Sequence, residues 1–396
     1  MSTRFLRTVA TWLVLLGCAP ALAAQPSDLP LPGGCEYARP ETGAIPATVA
    51  HDPQFPPVQL EVRTPVAPTA FAAGGHVLLI YELHLQNYSD SPLPLRGIQV
   101  FDGTHPAGAP LLSFSGTQLK DKLMSVGGDE LDEASTLGAG RLAVALLCVA
   151  FDGDRMPPRK LMHRVLLDDA ESDGPLIDTQ PGVLKTLAAP LSGSDWAAVS
   201  GLSAGAHHRS GLIVAGGLGQ IARRYAVDWK RRKDGAFFSG DPRDVRSYHA
   251  YGADVRAVAD ATVVLAKDGL PDNIPRTAAG FETAVPVTME TVAGNSVVLD
   301  LGDGQYAYYA HLKPGSVRVR TGDRVRRGEV VGAIGNSGDA REPHLHFQVT
   351  NGPEILASEG LPYVIDRFRM KLSEGNWQER RNEFPLGNAV IDFDAR

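Results

Sequence analysis

Cysteine is scarce in this chain, with three in 396 residues, so no disulfide framework can carry the fold. Positive charge is not in excess either: 38 Lys and Arg stand against 45 Asp and Glu, a formal net charge of -7, which argues against nucleic acid as the main partner. After the first two dozen residues no apolar run is long enough for a transmembrane helix, and no internal period signals a repeat array. Long helical stretches are lacking too. The 42 Gly and 29 Pro cut the chain into short Val-, Leu- and Tyr-containing runs bounded by turn signals, which predicts a mainly β protein.

The opening residues carry Arg4 and Arg7, an apolar run from about Val9 to Leu16, and Ala21-Leu22-Ala23. These are the three regions of a secretory signal over 1–23, and they predict export to the periplasm or the extracellular space. "LLGC" at 15–18 also resembles a bacterial lipoprotein box in which Cys18 would be acylated to give a lipid anchor, while Ala21-Leu22-Ala23 offers a competing cut. Cleavage after Ala23 leaves Cys35 and Cys148. In an oxidising compartment they would form one disulfide, or Cys148 in "VALLCVA" would be a buried thiol.

Composition then divides the chain. Residues 24–45 are rich in Pro, Gly and Ala and read as a linker. From 46 to 172, alternating runs such as "HVLLIYELHLQNYSD" and "RLAVALLCVAFDG" between turns predict an antiparallel β-sandwich of immunoglobulin-like size. Its histidines, His76, His84, His105 and His163, lie on separate runs and read as ordinary strand or loop residues. Residues 173–199 read as a connector, 200–375 as a second β domain, and 376–396 as a tail. Two basic clusters, 223–235 and 318–328, read as solvated strand faces or as a surface for an anionic wall polymer.

Chemistry concentrates in 200–375. In "REPHLHFQV" (341–349) His344 and His346 flank Leu345. On a strand both imidazoles point to one face while Leu345 and Phe347 point to the other. His311 ends the aromatic run "YAYYAHL", and "GAHHRSGLIVAGGLGQIARRYAVDW" (205–229) supplies His207, His208 and Asp228. Histidines and a carboxylate from different strands are what a catalytic zinc needs: three protein ligands with a fourth position for water, and neighbouring histidines for proton transfer and for a developing oxyanion.

This C-terminal part, over about 200–370, resembles the lysostaphin-type (LytM-like) zinc metallopeptidases. "PHLHFQV" resembles their H-x-H strand and "YYAHL" the signature strand before it. "VRTGDRVRRGEVVGAIGNSG" resembles their glycine-rich approach, and "YGADVRAVADATVV" their G-x-x-V strand pair, with Ala261 in place of the last glycine. The resemblance implies an antiparallel β fold of the duplicated hybrid motif type, a Zn2+ cofactor and cleavage of peptide cross-links in bacterial peptidoglycan. It makes His346 a zinc ligand and His311 and His344 catalytic.

The other two ligands depart from the common pattern, which has His and Asp four apart just before the G-x-x-V strand. His249 and Asp254 lie five apart, a spacing that sets them on opposite strand faces. A subgroup with a longer excursion, H-R-x-x-L…Q-R-F-A-x-D, fits better and assigns His208 and Asp228, with "GGLG" turning the chain back. His207 stays open as the alternative, since strand neighbours point oppositely.

Three functions compete at this level. The first is an exported zinc endopeptidase acting on peptidoglycan or another peptide. The second is a non-catalytic wall-binding or regulatory module of the same fold. The third, a lipoyl-like carrier, lacks the lysine at a hairpin tip that such a domain requires. The N-terminal sandwich is expected to serve targeting or regulation.

Overall fold

The computed structural model describes residues 30–39, 55, 57–127, 131, 135–153, 155–179, 183–203, 205–277, 280–371, 375–387 and 389–394. The predicted export signal and Cys18 lie outside them. The fold is almost entirely β, with 43% strand and 2% helix. The glycine- and proline-punctuated sequence has this outcome because its apolar runs are too short for amphipathic helices but long enough for strands.

The N-terminal part is two facing sheets. A six-stranded sheet is built on the long antiparallel pair His76–Asn87 and Leu142–Asp152. A five-stranded sheet contains Gly97–Asp102, Leu112–Ser115 and Lys160–Leu166. Leu79, Tyr81, Leu83, Leu85, Leu147 and Val149 of the first sheet share a core with Ile98, Val100, Phe114, Leu161 and Val165 of the second.

The other face of the six-stranded sheet is not solvated. Leu78, Ile80, Cys148 and Ala150 belong to the same core as the C-terminal residues Trp196, Tyr225, Val227, Leu345 and Phe347. A strand covered on both faces reads as a near-continuous apolar run, which is why "HVLLIYELHLQN" is buried along almost its whole length. The N-terminal sheets are therefore packed into the C-terminal core rather than strung beside it.

Three segments read as irregular are structural. Cys35 is disulfide-bonded to Cys148, and Glu36–Tyr37 adds a parallel strand on Leu142–Asp152, so the expected linker contains a piece of sheet. Lys185–Leu187 of the expected connector pairs in parallel with Tyr363–Ile365. In the expected tail, Val390–Asp392 pairs with Trp196–Val199 and with Phe368–Lys371. All three had been masked by low periodicity, because strands of two or three residues are too short to display any.

The C-terminal part is organised by a ten-stranded sheet. At its centre Tyr306–Leu312, Leu345–Thr350, Val227–Arg231 and Trp196–Val199 run side by side. His346 lies opposite Asp228 on one neighbour and opposite Ala310 on the other. Between 203 and 227 the chain leaves the sheet as the hairpin Ile213–Ala215/Leu218–Gln220, whose turn uses Gly216 and Gly217 with φ of 59° and 82°, as "GGLG" predicts.

Candidate active site

The strand Leu345–Thr350 puts Leu345 and Phe347 into the core at 0% and 1% exposure, which turns His346 to the opposite face together with His344, just before the strand. The two-face reading of "PHLHFQV" holds. Asp228 faces the same way from the adjacent strand.

His311 reaches this face by a different route. Simple alternation would send it with Tyr309 into the core, since Ala310 is the residue that stands opposite His346. A register shift in the pairing with Asn295–Asp300 and a φ of 63° at His311 rotate it onto the site face instead. A left-handed conformation at a non-glycine residue is strained and persists only where its surroundings hold it. Here His311 N–H donates to Ala293 O at 2.9 Å, its carbonyl accepts from Gly335 N at 3.0 Å, and its Nδ1 meets Ser337 O at 2.8 Å. The Ser337 turn is itself fixed by Gly338, at φ +76°, where a Cβ would stand 2.3 Å from Gly294 N.

Each imidazole is oriented by one nitrogen. A carbonyl only accepts, so Nδ1–H is the donor in His208 to Ala226 O at 3.2 Å, in His311 to Ser337 O, and in His344 to Glu342 O at 2.7 Å. His346 is reversed. Gln348 Nε2 donates to Ile355 O at 2.9 Å, which turns Gln348 Oε1 toward His346 Nε2–H at 2.8 Å.

The remaining nitrogens converge on one carboxylate. His346 Nδ1 lies 3.0 Å and His344 Nε2 3.3 Å from Asp228 Oδ1, and His208 Nε2 lies 3.6 Å from Asp228 Oδ2. With their other nitrogens committed to fixed partners, these ring nitrogens all point at one carboxylate. Several ring nitrogens and a carboxylate converging in a buried place suit a cation held among them. His208, Asp228, His346 and His344 are 1%, 6%, 4% and 8% exposed.

Burial alone would raise the pKa of Asp228, yet His208 and His344 hold it well below the ordinary carboxylate range. Burial pushes His208 down to about 3 against the pull of Asp228, and pushes His311 well below the usual imidazole range, with His344 and His346 adding to the effect. Both rings are thus kept neutral, the form in which imidazole binds a metal.

Two groupings of close donor atoms arise among the described residues: His311, His344 and His346, and His207, His208 and Asp228. They meet at Asp228. His207 and His208 lie in a succession of turns rather than on a strand, so strand alternation does not decide between them. They differ in burial: His207 is exposed, while His208 is enclosed and fixed by Ala226. His249 and Asp254 stand apart from both groupings: His249 N–H bonds to Phe237 O, and Asp254 faces Arg318 at 3.6 Å.

The cluster opens into a cavity of about 580 Å3, whose lining also includes Arg223, Lys230, Val292 and Ile355. Sequence reading did not single out Arg223. It is half-buried, and its Nε has no hydrogen-bond partner. The basic run it belongs to is solvated only in part: its neighbour Arg224 is 3% exposed, whereas Lys233 is exposed.

Residues 245–356 match the family model described as Peptidase family M23, a stretch that holds His311, His344 and His346 and begins after His208 and Asp228. Among curated relatives, the cell division protein DipM of Caulobacter vibrioides is 28% identical over 148 residues, 36% of this chain and 20% of that protein. The peptidoglycan DD-endopeptidase ShyA of Vibrio cholerae is 32% identical over 80 residues, 20% of this chain and 18% of that protein. The glycyl-glycine endopeptidase ALE-1 of Staphylococcus capitis is 43% identical over 74 residues, 18% of this chain and 20% of that protein. The chain thus spans about a fifth of the length of these relatives. Family M23 peptidases are zinc enzymes, and a buried set of bare imidazole nitrogens around one carboxylate suits that ion. The match to peptidase family M23 over 245–356 agrees with the resemblance of the histidine strands to the lysostaphin-type peptidases.

Proposed function

We propose that this protein is an exported zinc metalloendopeptidase that cleaves peptide cross-links of bacterial peptidoglycan. The observation that carries the reading is the convergence of His208 Nε2 and His346 Nδ1 on the Asp228 carboxylate, with each ring's other nitrogen tied as a donor. These three residues would hold the ion. Zinc bound there supplies Lewis acidity, which polarises a peptide carbonyl and makes water a competent nucleophile near neutral pH.

The remaining chemistry belongs to His311 and His344. Each has Nδ1–H committed to a carbonyl, which turns Nε2 toward the site, where His344 Nε2 lies 3.3 Å from Asp228 Oδ1, and their rings are 4.9 Å apart. The neutral Nε2 of one ring takes the proton of the attacking water, and the Nε2–H so formed donates it on as charge develops on the breaking peptide group. The fixed Nδ1 bonds spare either ring from reorienting during the reaction. Peptidoglycan as substrate is supported by the names of two relatives, a peptidoglycan DD-endopeptidase and a glycyl-glycine endopeptidase. Against the alternative, a wall-binding or regulatory module of the same fold, the reading as an enzyme is supported by the gathering of His208, Asp228, His311, His344 and His346 in one cluster.

The test is elemental analysis of the purified protein beside Asp228→Ala and His249→Ala, followed by digestion of purified peptidoglycan. One zinc per chain, lost in Asp228→Ala and kept in His249→Ala, with release of wall peptides, is the expected result. Zinc lost only in His249→Ala would overturn the ligand set, and intact wall peptides beside bound zinc would overturn the enzyme.

A further inference from the structure

The strand His76–Asn87 of the N-terminal sheet alternates faces. Leu79, Tyr81 and Leu83 enter the sandwich core, while Leu78, Ile80 and Glu82 point toward the C-terminal part. Glu82 is a carboxylate at 2% exposure, and its partners are not random. Oε1 accepts from Arg209 Nη1 at 2.5 Å and Oε2 from Arg224 Nε at 2.7 Å. Arg209 directly follows His208, and Arg224 comes four residues before Asp228. One carboxylate of the N-terminal sheet therefore grips both ends of the excursion that carries two of the three proposed metal ligands.

Other bonds run the same way. Arg209 Nη2 donates to Leu147 O at 3.3 Å, on the strand paired with His76–Asn87. Tyr225 Oη–H donates to Ile80 O at 2.8 Å. Tyr225 precedes Ala226, whose carbonyl orients His208. Arg224 also reaches Glu359 at 2.9 Å and Gly360 O at 2.9 Å, which secures the segment from the peptidase side. Ion pairs this buried seldom increase stability over an apolar core, but they fix geometry, and breaking one leaves a buried charge unmatched.

Resting on the metal-centre reading above, we propose that Glu82 is a positioning residue for that centre, and that the N-terminal sheet is a built part of the active site rather than a separable targeting or inhibitory module. Residues that orient a metal ligand from behind typically change affinity 10- to 100-fold when removed, and coupling of this kind is reciprocal.

The experiment uses the full chain. Zinc affinity is measured by chelator competition for wild type, Glu82→Gln, and the double variant Glu82→Met with Arg209→Met. The double variant replaces the broken pair with apolar side chains while Arg224 keeps Glu359, so folding survives. In parallel, amide exchange over 76–87 is followed in the zinc-free wild type before and after zinc is added, which needs no variant at all. The expected result is zinc affinity weakened at least 10-fold in both variants and slower exchange over 76–87 on zinc binding. Wild-type affinity in a folded variant, or exchange over 76–87 indifferent to zinc, would overturn the proposal. A wild type that binds no zinc would instead sink the metal-centre reading on which it rests.

Discussion

His346 and Asp228 lie directly opposite each other on neighbouring antiparallel strands, with Nδ1 3.0 Å from Oδ1. Gln348 holds the far side of the ring, since its Oε1 takes the Nε2 proton. Gln348→Leu removes that acceptor and frees the ring to place its proton on the ligand nitrogen. Zinc affinity is expected to fall 10- to 100-fold with little change in folding. Chelator competition checks it, and an unchanged affinity would mean that Gln348 has no part in fixing the tautomer.

His207 and His208 are adjacent, and only one is enclosed. His208→Ala is expected to lose the zinc, whereas His207→Ala keeps one zinc per chain. The reverse pattern in elemental analysis would reassign the third ligand to the exposed ring.

Removal of the metal leaves bare ring nitrogens facing a carboxylate, so the zinc-free protein is expected to be less stable. A ligand that binds only the folded state at 1,000 times its Kd adds about 4 kcal/mol, so a higher unfolding midpoint on adding zinc back is the outcome to look for. Asp228→Ala should abolish that shift.

His163 is enclosed by the N-terminal core, where its Nε2 meets Tyr81 Oη at 2.9 Å. Burial pushes its pKa from the ordinary 6.5 down to about 4. Between those values the unfolded chain binds the proton and the folded chain does not. The stability that depends on the neutral ring is therefore complete above pH 6.5 and lost as the pH falls toward 4, by about 3 kcal/mol at the bottom of that window. Denaturant unfolding at pH 7.5 and 4.5 should show a smaller acid loss in His163→Gln than in wild type, and equal losses would contradict this origin.

The disulfide Cys35–Cys148 closes a loop with a sequence separation of 113. Replacing both cysteines with alanine is expected to cost about 2–5 kcal/mol. Thermal unfolding of the double variant measures it.

What the sequence disclosed follows from periodicity and local motif. "PHLHFQV" could be read because alternation is fixed by strand geometry, and "GGLG" because a reversal needs glycines. The site face of His311 could not be, since alternation sends it to the core and only a bulge and a left-handed φ bring it back. Glu82 was equally hidden: it sits 127 residues from Arg209, and nothing local marks a carboxylate whose partners come from so far along the chain. The segments read as linker, connector and tail misled because a strand of two or three residues carries no period.

The strand Val390–Asp392 joins the central sheet between Trp196–Val199 and Phe368–Lys371. Trp196–Val199 is in turn the immediate neighbour of the strand that bears Asp228. The sheet around the histidine cluster therefore closes only when residues 196 and 391, far apart along the chain, have met, so a truncation before residue 390 would leave an open edge one strand away from Asp228.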